Sequence, residues 1–269
     1  MTFPSYLRWF AIASLAAWSA LSARAQITGA GTAPYYTAQS IVNAATQTVE
    51  ALAPNVIATI YGANLSHTTH AIGNSDLVDR SLPASFDGVE VYINSIPCRL
   101  FFISPGQINC LVPYELIAGP VSLIVHLQGT AGPSVNIQLT NTSPGFFVWN
   151  GNYAVAVHLN GQLISAASPA VAKEIIVLYA GGLGKTAPDT RSGLLATAAA
   201  PIFFGSQLQV LLNGLPLPPG SVLYAGLTPG FAGLYQINLV LPAALPSNPE
   251  IRVAIGPQIS PASVQLAVR

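Results

Sequence analysis

Apolar residues fall in short runs along this chain, and several alternate with polar ones. Val135-Asn136-Ile137-Gln138-Leu139 and Val264-Gln265-Leu266 have a period of two, which predicts strands with one buried and one wet face. Further short runs rich in Val, Ile, Leu and Tyr lie at Val56 to Tyr61, Val89 to Ile93, Val121 to Leu127, Ile175 to Tyr179, Leu208 to Leu212, Leu234 to Leu241 and Val264 to Val268. The chain holds 23 glycines and 22 prolines, and proline recurs too often for long helices. Many short strands at regular spacing, separated by turn residues, predict an all-β protein built from sandwiches.

Laid on itself, the chain repeats. Ile60 to Leu65 corresponds to Leu178 to Leu183, Val91 to Pro97 to Val210 to Pro216, Gln107 to Pro113 to Gln236 to Pro242, and Val135 to Leu139 to Val264 to Val268. Four blocks in one order, with Pro218 to Gly230 as an insertion, predict two copies of one unit: immunoglobulin-like domains over 41–143 and 144–269. Asn94-Ser95 and Asn213-Gly214 are turn dipeptides between apolar runs, so each is expected at a hairpin tip. Pro113 and Pro242 are expected to end the Gln-Ile-Asn strand by removing a ladder donor.

Residues 1–25 have the form of a secretory signal. Arg8 is the basic start, Trp9 to Ala23 an uncharged, largely apolar stretch, and Ala23-Arg24-Ala25 a small-x-small cleavage pattern. Residues 26–40 then read as a linker. A retained anchor is the competing reading. After cleavage no membrane span is expected, and the product belongs in an extracellular, periplasmic or cell-surface setting.

Only 7% of the 269 residues are charged, with 9 bases against 9 acids. Such a chain has no cationic field for nucleic acid or anionic lipid, and 51% hydrophobic content excludes a disordered chain. Strand surfaces carry Asn, Gln, Ser and Thr instead of Lys and Glu, so sheet edges need guarding by Pro and loops, or covering by a partner. Cys98 and Cys110, exported together, can form a disulfide or remain two buried thiols; both readings stand.

The repeated blocks resemble a known group, the uncharacterised C-terminal domain of exported acidobacterial proteins. The matching segments are Val42 to Ala45, Thr59 to Leu65, Gly88 to Pro113, Leu178 to Gly184 and Tyr224 to Pro242, and the resemblance spans about residues 40 to 269. Departures are Ser95 in place of Gly, Cys98 in place of a small residue and Cys110 in place of an apolar one, so no disulfide follows from the family. The first strand of each copy also resembles the IPT/TIG branch of immunoglobulin-like domains, whose members serve in surface receptors, adhesins and accessory modules of secreted enzymes. The acidobacterial family implies no established activity.

Candidate chemistry is sparse. Gly181 to Thr186 looks like a phosphate loop, but Tyr179 stands where the first glycine is required. His67, His70 and Asp76 are the one candidate ligand cluster, on a Ser/Thr/Asn-rich loop, and the default reading there is no metal. His126 and His158 read as surface or satisfied core residues. No nucleophile elbow and no zinc-protease helix motif occur. Phe146, Phe147, Trp149 and Tyr153 crowd the junction between the copies; they either pack it or, with Phe147, Trp149 and Tyr153 exposed, form a stacking platform for a sugar or a partner's apolar loop. Phe101-Phe102 and Phe203-Phe204 share that ambiguity.

These readings converge on an exported, non-catalytic binding or structural module without cofactors, acting through protein–protein contact or adhesion at the cell surface. The alternatives are a carbohydrate-binding accessory protein using Trp149 and Tyr153, and a secreted hydrolase using His67, His70 and Asp76.

Overall fold

The structure, a computed structural model, describes residues 33–269; the segment with the form of a secretory signal and the start of the expected linker lie outside the described residues. The described chain is all-β, its helical content limited to 3-10 turns such as Ala38–Ser40. In the first half one antiparallel sheet runs Ile41–Asn43, Ile57–Tyr61, Gln107–Leu111, Arg99–Ser104, His70–Ala71. The facing sheet centres on Gly119–Leu127, which pairs with Val89–Ile93 on one side and Val135–Leu139 on the other. In the second half Ile175–Gly181 pairs with Tyr235–Val240, which pairs with Val222–Leu227, and a separate sheet joins Leu208–Leu212 to Ile251–Ile255.

Alternation builds these layers. Val121, Leu123, Val125 and Leu127 are buried while Ser122, Ile124 and His126 between them are only half-buried; Tyr235, Ile237 and Leu239 alternate with Gln236 and Asn238 in the same way. Each half encloses its own core. One cluster draws only on residues from Tyr36 to Leu139, the other only on residues from Phe146 to Val268. Tyr36 lies within the segment expected to be linker, yet it is buried. Its hydroxyl donates to the Pro133 carbonyl at 2.6 Å and accepts from the Val125 N–H at 2.7 Å.

The two expected hairpin tips match the structure. Asn94-Ser95 joins Val89–Ile93 to Ile96–Pro97, and Asn213-Gly214 joins Leu208–Leu212 to Leu215–Pro216, with positive φ at all four turn residues as a type I′ turn requires. In each tip the Asn Oδ1 accepts a backbone N–H from the neighbouring strand, from Ser122 at 2.9 Å and from Glu250 at 2.8 Å. The Gln-Ile-Asn strands end at Leu111 and Val240, just before Pro113 and Pro242.

Val264 to Val268 is not a strand, contrary to its pattern. Its backbone is shared among several neighbours: Gln265 bridges both Tyr153 and Glu250, and Val268 bridges Ala170. No single partner runs beside it long enough to form a ladder, and Leu266, Ala267 and Val268 are all buried instead of alternating.

A third apolar cluster joins the halves. Ala44, Ala45, Ile57, Leu82 and Leu111 of the first pack with Phe147, Val155, Val157, Tyr179, Ala232 and Leu234 of the second. At its edge Asn55 Nδ2 donates to the Tyr235 hydroxyl at 2.9 Å, and that hydroxyl donates to the Gly184 carbonyl. Burial pushes the Tyr235 phenol well above its ordinary pKa, against a smaller opposing effect of the Asn55 bond, so the group remains a neutral donor. Tyr235→Phe, which leaves the Asn55 amide and the Gly184 carbonyl without this partner, is expected to cost about 1–3 kcal/mol. Chemical denaturation of the purified chain measures it.

Candidate functional site

Three constellations bear on function: the His loop, the junction between the halves, and the turn that follows Ala156–His158.

In the His loop, His70 Nε2 lies 3.0 Å from Asp76 Oδ2, and the His70 ring stacks on Phe86 with centroids 4.4 Å apart. The hydrogen bond from His70, and that from the Gly73 N–H at 2.7 Å, hold the Asp76 carboxyl below its ordinary pKa. His67 is exposed. Among the described residues no three His, Cys, Asp or Glu side chains converge as metal ligands would. The structure therefore brings two of the three candidates together and leaves the third apart.

At the junction, Phe147 is buried in the cluster that joins the halves, Trp149 packs against that cluster, and Tyr153 packs against the second half's core. Local pairing fixes them there: Val148–Trp149 and Tyr153–Ala154 form a two-stranded ribbon closed by Asn150 and Gly151 at positive φ. Phe146 is buried in the second core. Of the other aromatic pairs, Phe101 joins the shared cluster, whereas Phe203 is exposed and meets Phe204 edge-on at 5.1 Å.

The stretch that looks like a phosphate loop also serves the junction. The Gly182 carbonyl accepts the Ser143 N–H at 2.8 Å, and a Cβ on Gly182 would collide with the Ser143 carbonyl, so glycine allows the crossing chain to approach. The Thr186 N–H donates to the Tyr114 hydroxyl at 3.0 Å, and Lys185 Nζ sits 5.3 Å from the centre of the Tyr114 ring. Tyr114 itself donates to Asp189 at 2.8 Å. The backbone and the lysine that would cradle a phosphate are thus engaged by the other half of the protein.

Cys98 sits where the chain passes from Ile96–Pro97 in one sheet to Arg99–Ser104 in the other. It and Cys110 are free thiols, both fully buried. Burial, and next the hydrogen bond with the Cys110 thiol, push the Cys98 thiol well above its ordinary pKa.

The third constellation escaped sequence reading, because its members become neighbours only through a turn. His158 Nδ1 meets Glu174 Oε1, while Nε2 lies 3.1 Å from Ser168 Oγ and 3.2 Å from the Ser168 carbonyl. Ser, His and Glu in that order resemble a nucleophilic triad. The details describe a staple. The Ser168 N–H already donates to the Ser165 carbonyl at 3.0 Å and so is not free to stabilise an oxyanion. Glu174 Oε2 accepts the Val171 N–H at 2.9 Å, which ties the same loop from its other end.

Two comparisons with known proteins find similarity. Residues 48–146 match the IPT/TIG domain, an immunoglobulin-like fold. Among solved structures, the chain is similar to the Bacteroides ovatus mixed-linkage glucan utilization locus protein SGBP-B in complex with a mixed-linkage heptasaccharide, at 11% identity over 81% of this chain and 43% of that one, TM-score 0.32. It is also similar to the Prevotella bryantii surface glycan-binding protein PbSGBP-B, at 11% identity over 87% of this chain and 42% of that one, TM-score 0.26. Tandem immunoglobulin repeats of Dlar share 11% identity over 88% of this chain and 95% of that one, TM-score 0.20. The chain spans less than half the length of the two glycan-binding proteins, and at these scores none of the three likenesses speaks to its ligand. No curated protein sequence matches it.

His158→Ala is expected to cost about 1–3 kcal/mol by leaving Glu174 and the Ser168 turn without their partner, and to speed proteolysis within residues 159–174. A fluorophosphonate probe that labels Ser168 in the native protein would contradict the staple.

Proposed function

We propose that this chain is an exported, non-catalytic binding module of two immunoglobulin-like units, residues 41–143 and 144–269, derived from one duplicated ancestor and related to the exported acidobacterial domain family. It works at the cell surface or in secreted assemblies, through contact with a protein partner at neutral sheet faces and loops.

One observation carries the reading: several side chains able to do chemistry are committed to holding the fold, while the outward surface carries few charges. His158 and Glu174 tie a loop, and Lys185 and Asp189 both meet Tyr114. Ile117, Phe203 and Leu215 meanwhile remain exposed as large apolar groups. Matching details support the duplication, since Gln107 Nε2 donates to Asn109 at 2.9 Å and Gln236 Nε2 donates to Asn238 at 3.1 Å. Among the described residues no helix is long and apolar enough to cross a membrane. A hydrolase built on His67, His70 and Asp76 has less support, because Asp76 is engaged by His70 and the Gly73 N–H while His67 stands apart.

Export also bears on the thiols. In an oxidising compartment Cys98 and Cys110, in contact in the core, join as a disulfide during folding, passing two electrons and two protons to a disulfide oxidant. The intact mass of secreted protein, alkylated in denaturant with and without reduction, distinguishes the pair from free thiols. The binding role is tested by crosslinking the tagged chain at the surface of the cells that produce it. Saturable crosslinks, competed by excess untagged chain, are expected; a chain that never crosslinks to another protein overturns the protein-partner reading.

A further inference from the structure

Between the halves, away from the buried aromatics, lies a cavity of about 230 Å³. Thr140, Asn141 and Thr142 of the connecting segment line one side; Phe204, Gln207, Ile255 and Gln258 of the second half line the other. Its lining contains no ionisable side chain. We propose that this cleft binds a single ring of a neutral polysaccharide.

The polar lining groups have unspent capacity. Thr140 Oγ1 is taken up locally, donating to the Thr142 carbonyl at 2.9 Å. By contrast, the side chains of Asn141, Thr142, Gln207 and Gln258 make no hydrogen bond among the described residues; Asn141 and Gln207 are exposed, Gln258 is half-buried and Thr142 is buried. Polar groups that only water solvates are free to exchange that water for a ligand's donors and acceptors. Amides offer both at fixed spacing, which suits the adjacent hydroxyls of a sugar.

The apolar part fits the same ligand. Phe204 packs in part against the second core and meets Phe203 edge-on, and the part of its ring that lines the cleft can accept the C–H face of a pyranose. Ile255 closes the same cavity with apolar surface. A carboxylated or sulfated sugar would lose its hydration without gaining a countercharge, so the uncharged lining selects against it. The cavity is smaller than the 300–1,000 Å³ or so of pockets for drug-sized ligands, which limits it to about one ring. Phe203 stands exposed next to Phe204 in the chain and offers apolar contact to neighbouring units of a longer glycan.

The inference rests on the binding-module reading and adds a ligand class to it. Its test is native affinity electrophoresis of the full chain through gels containing β-glucan, starch, xylan or galactomannan, with polygalacturonate as an acidic comparison. The expected result is retardation by at least one neutral polysaccharide and none by polygalacturonate. The double variant Gln207→Ala with Gln258→Ala should weaken retardation about tenfold or more, with a melting temperature near that of the parent; Phe204→Ala should weaken it too, but with a lower melting temperature, because Phe204 also packs against the second core. Thr142→Val, which keeps the side-chain shape, should weaken it without unfolding the protein. Lack of retardation in every neutral gel overturns the proposal, as does retardation that the cleft variants leave unchanged or binding only to polygalacturonate. A chain that crosslinks at the cell surface but ignores all neutral glycans loses the sugar site and keeps the binding role; one that does neither loses both.

Discussion

The shared cluster between the halves is the constraint from which the other features follow. Each sandwich closes its own core, but the outer faces of Ile57–Tyr61 and Ile175–Gly181 contribute Ile57, Val177 and Tyr179 to a common interior. That apolar surface is removed from water only while the halves stay together, which favours one arrangement of the two. The hydrogen bonds around Tyr235 and Tyr114 then select the register, since buried polar groups tolerate few alternative partners. With the halves fixed, loops from both meet, and the amide-lined cleft takes shape where they do.

The same constraint explains why segments that resemble chemical motifs are built into the packing between and within the halves. Glycines at 182 and 184 allow close passage of the chain at Asn141 to Ser143. His158 and Glu174 tie a loop, the first at Ser168 and the second at the Val171 N–H. Several of the few charges are committed to structure, and amide, hydroxyl and isolated apolar groups share the surface with those that remain, among them Asp79 and Lys173.

Much of the fold was legible in the sequence. Period-two runs such as Gly119–Leu127 gave strands because alternation is a local property of an extended chain. Asn-Ser and Asn-Gly marked the hairpin tips because positive φ is a local requirement too. Val264 to Val268 misled for the converse reason: its alternation is real, but a strand needs a continuous partner, and none runs alongside it. Tyr36 was read as linker because a lone aromatic before the first strand carries no periodic signal; its burial depends on Pro133 and Val125, far along the chain.

The candidate sites divide along the same line. Phe147, Trp149 and Tyr153 were conspicuous as aromatics, yet only tertiary packing decides that Phe147 and Trp149 meet the interior shared by the halves and Tyr153 the second core. His70 and Asp76 lie close in sequence and do meet, whereas the His158–Ser168–Glu174 staple and the cleft of Asn141, Gln207 and Gln258 join residues that no short motif relates. The sequence by itself determined that this is an all-β chain of short strands with low charge, since alternation, turn chemistry and composition act over a few residues. Tertiary structure alone decided which polar groups are spent and which remain free, because that depends on where distant segments of one chain come to rest.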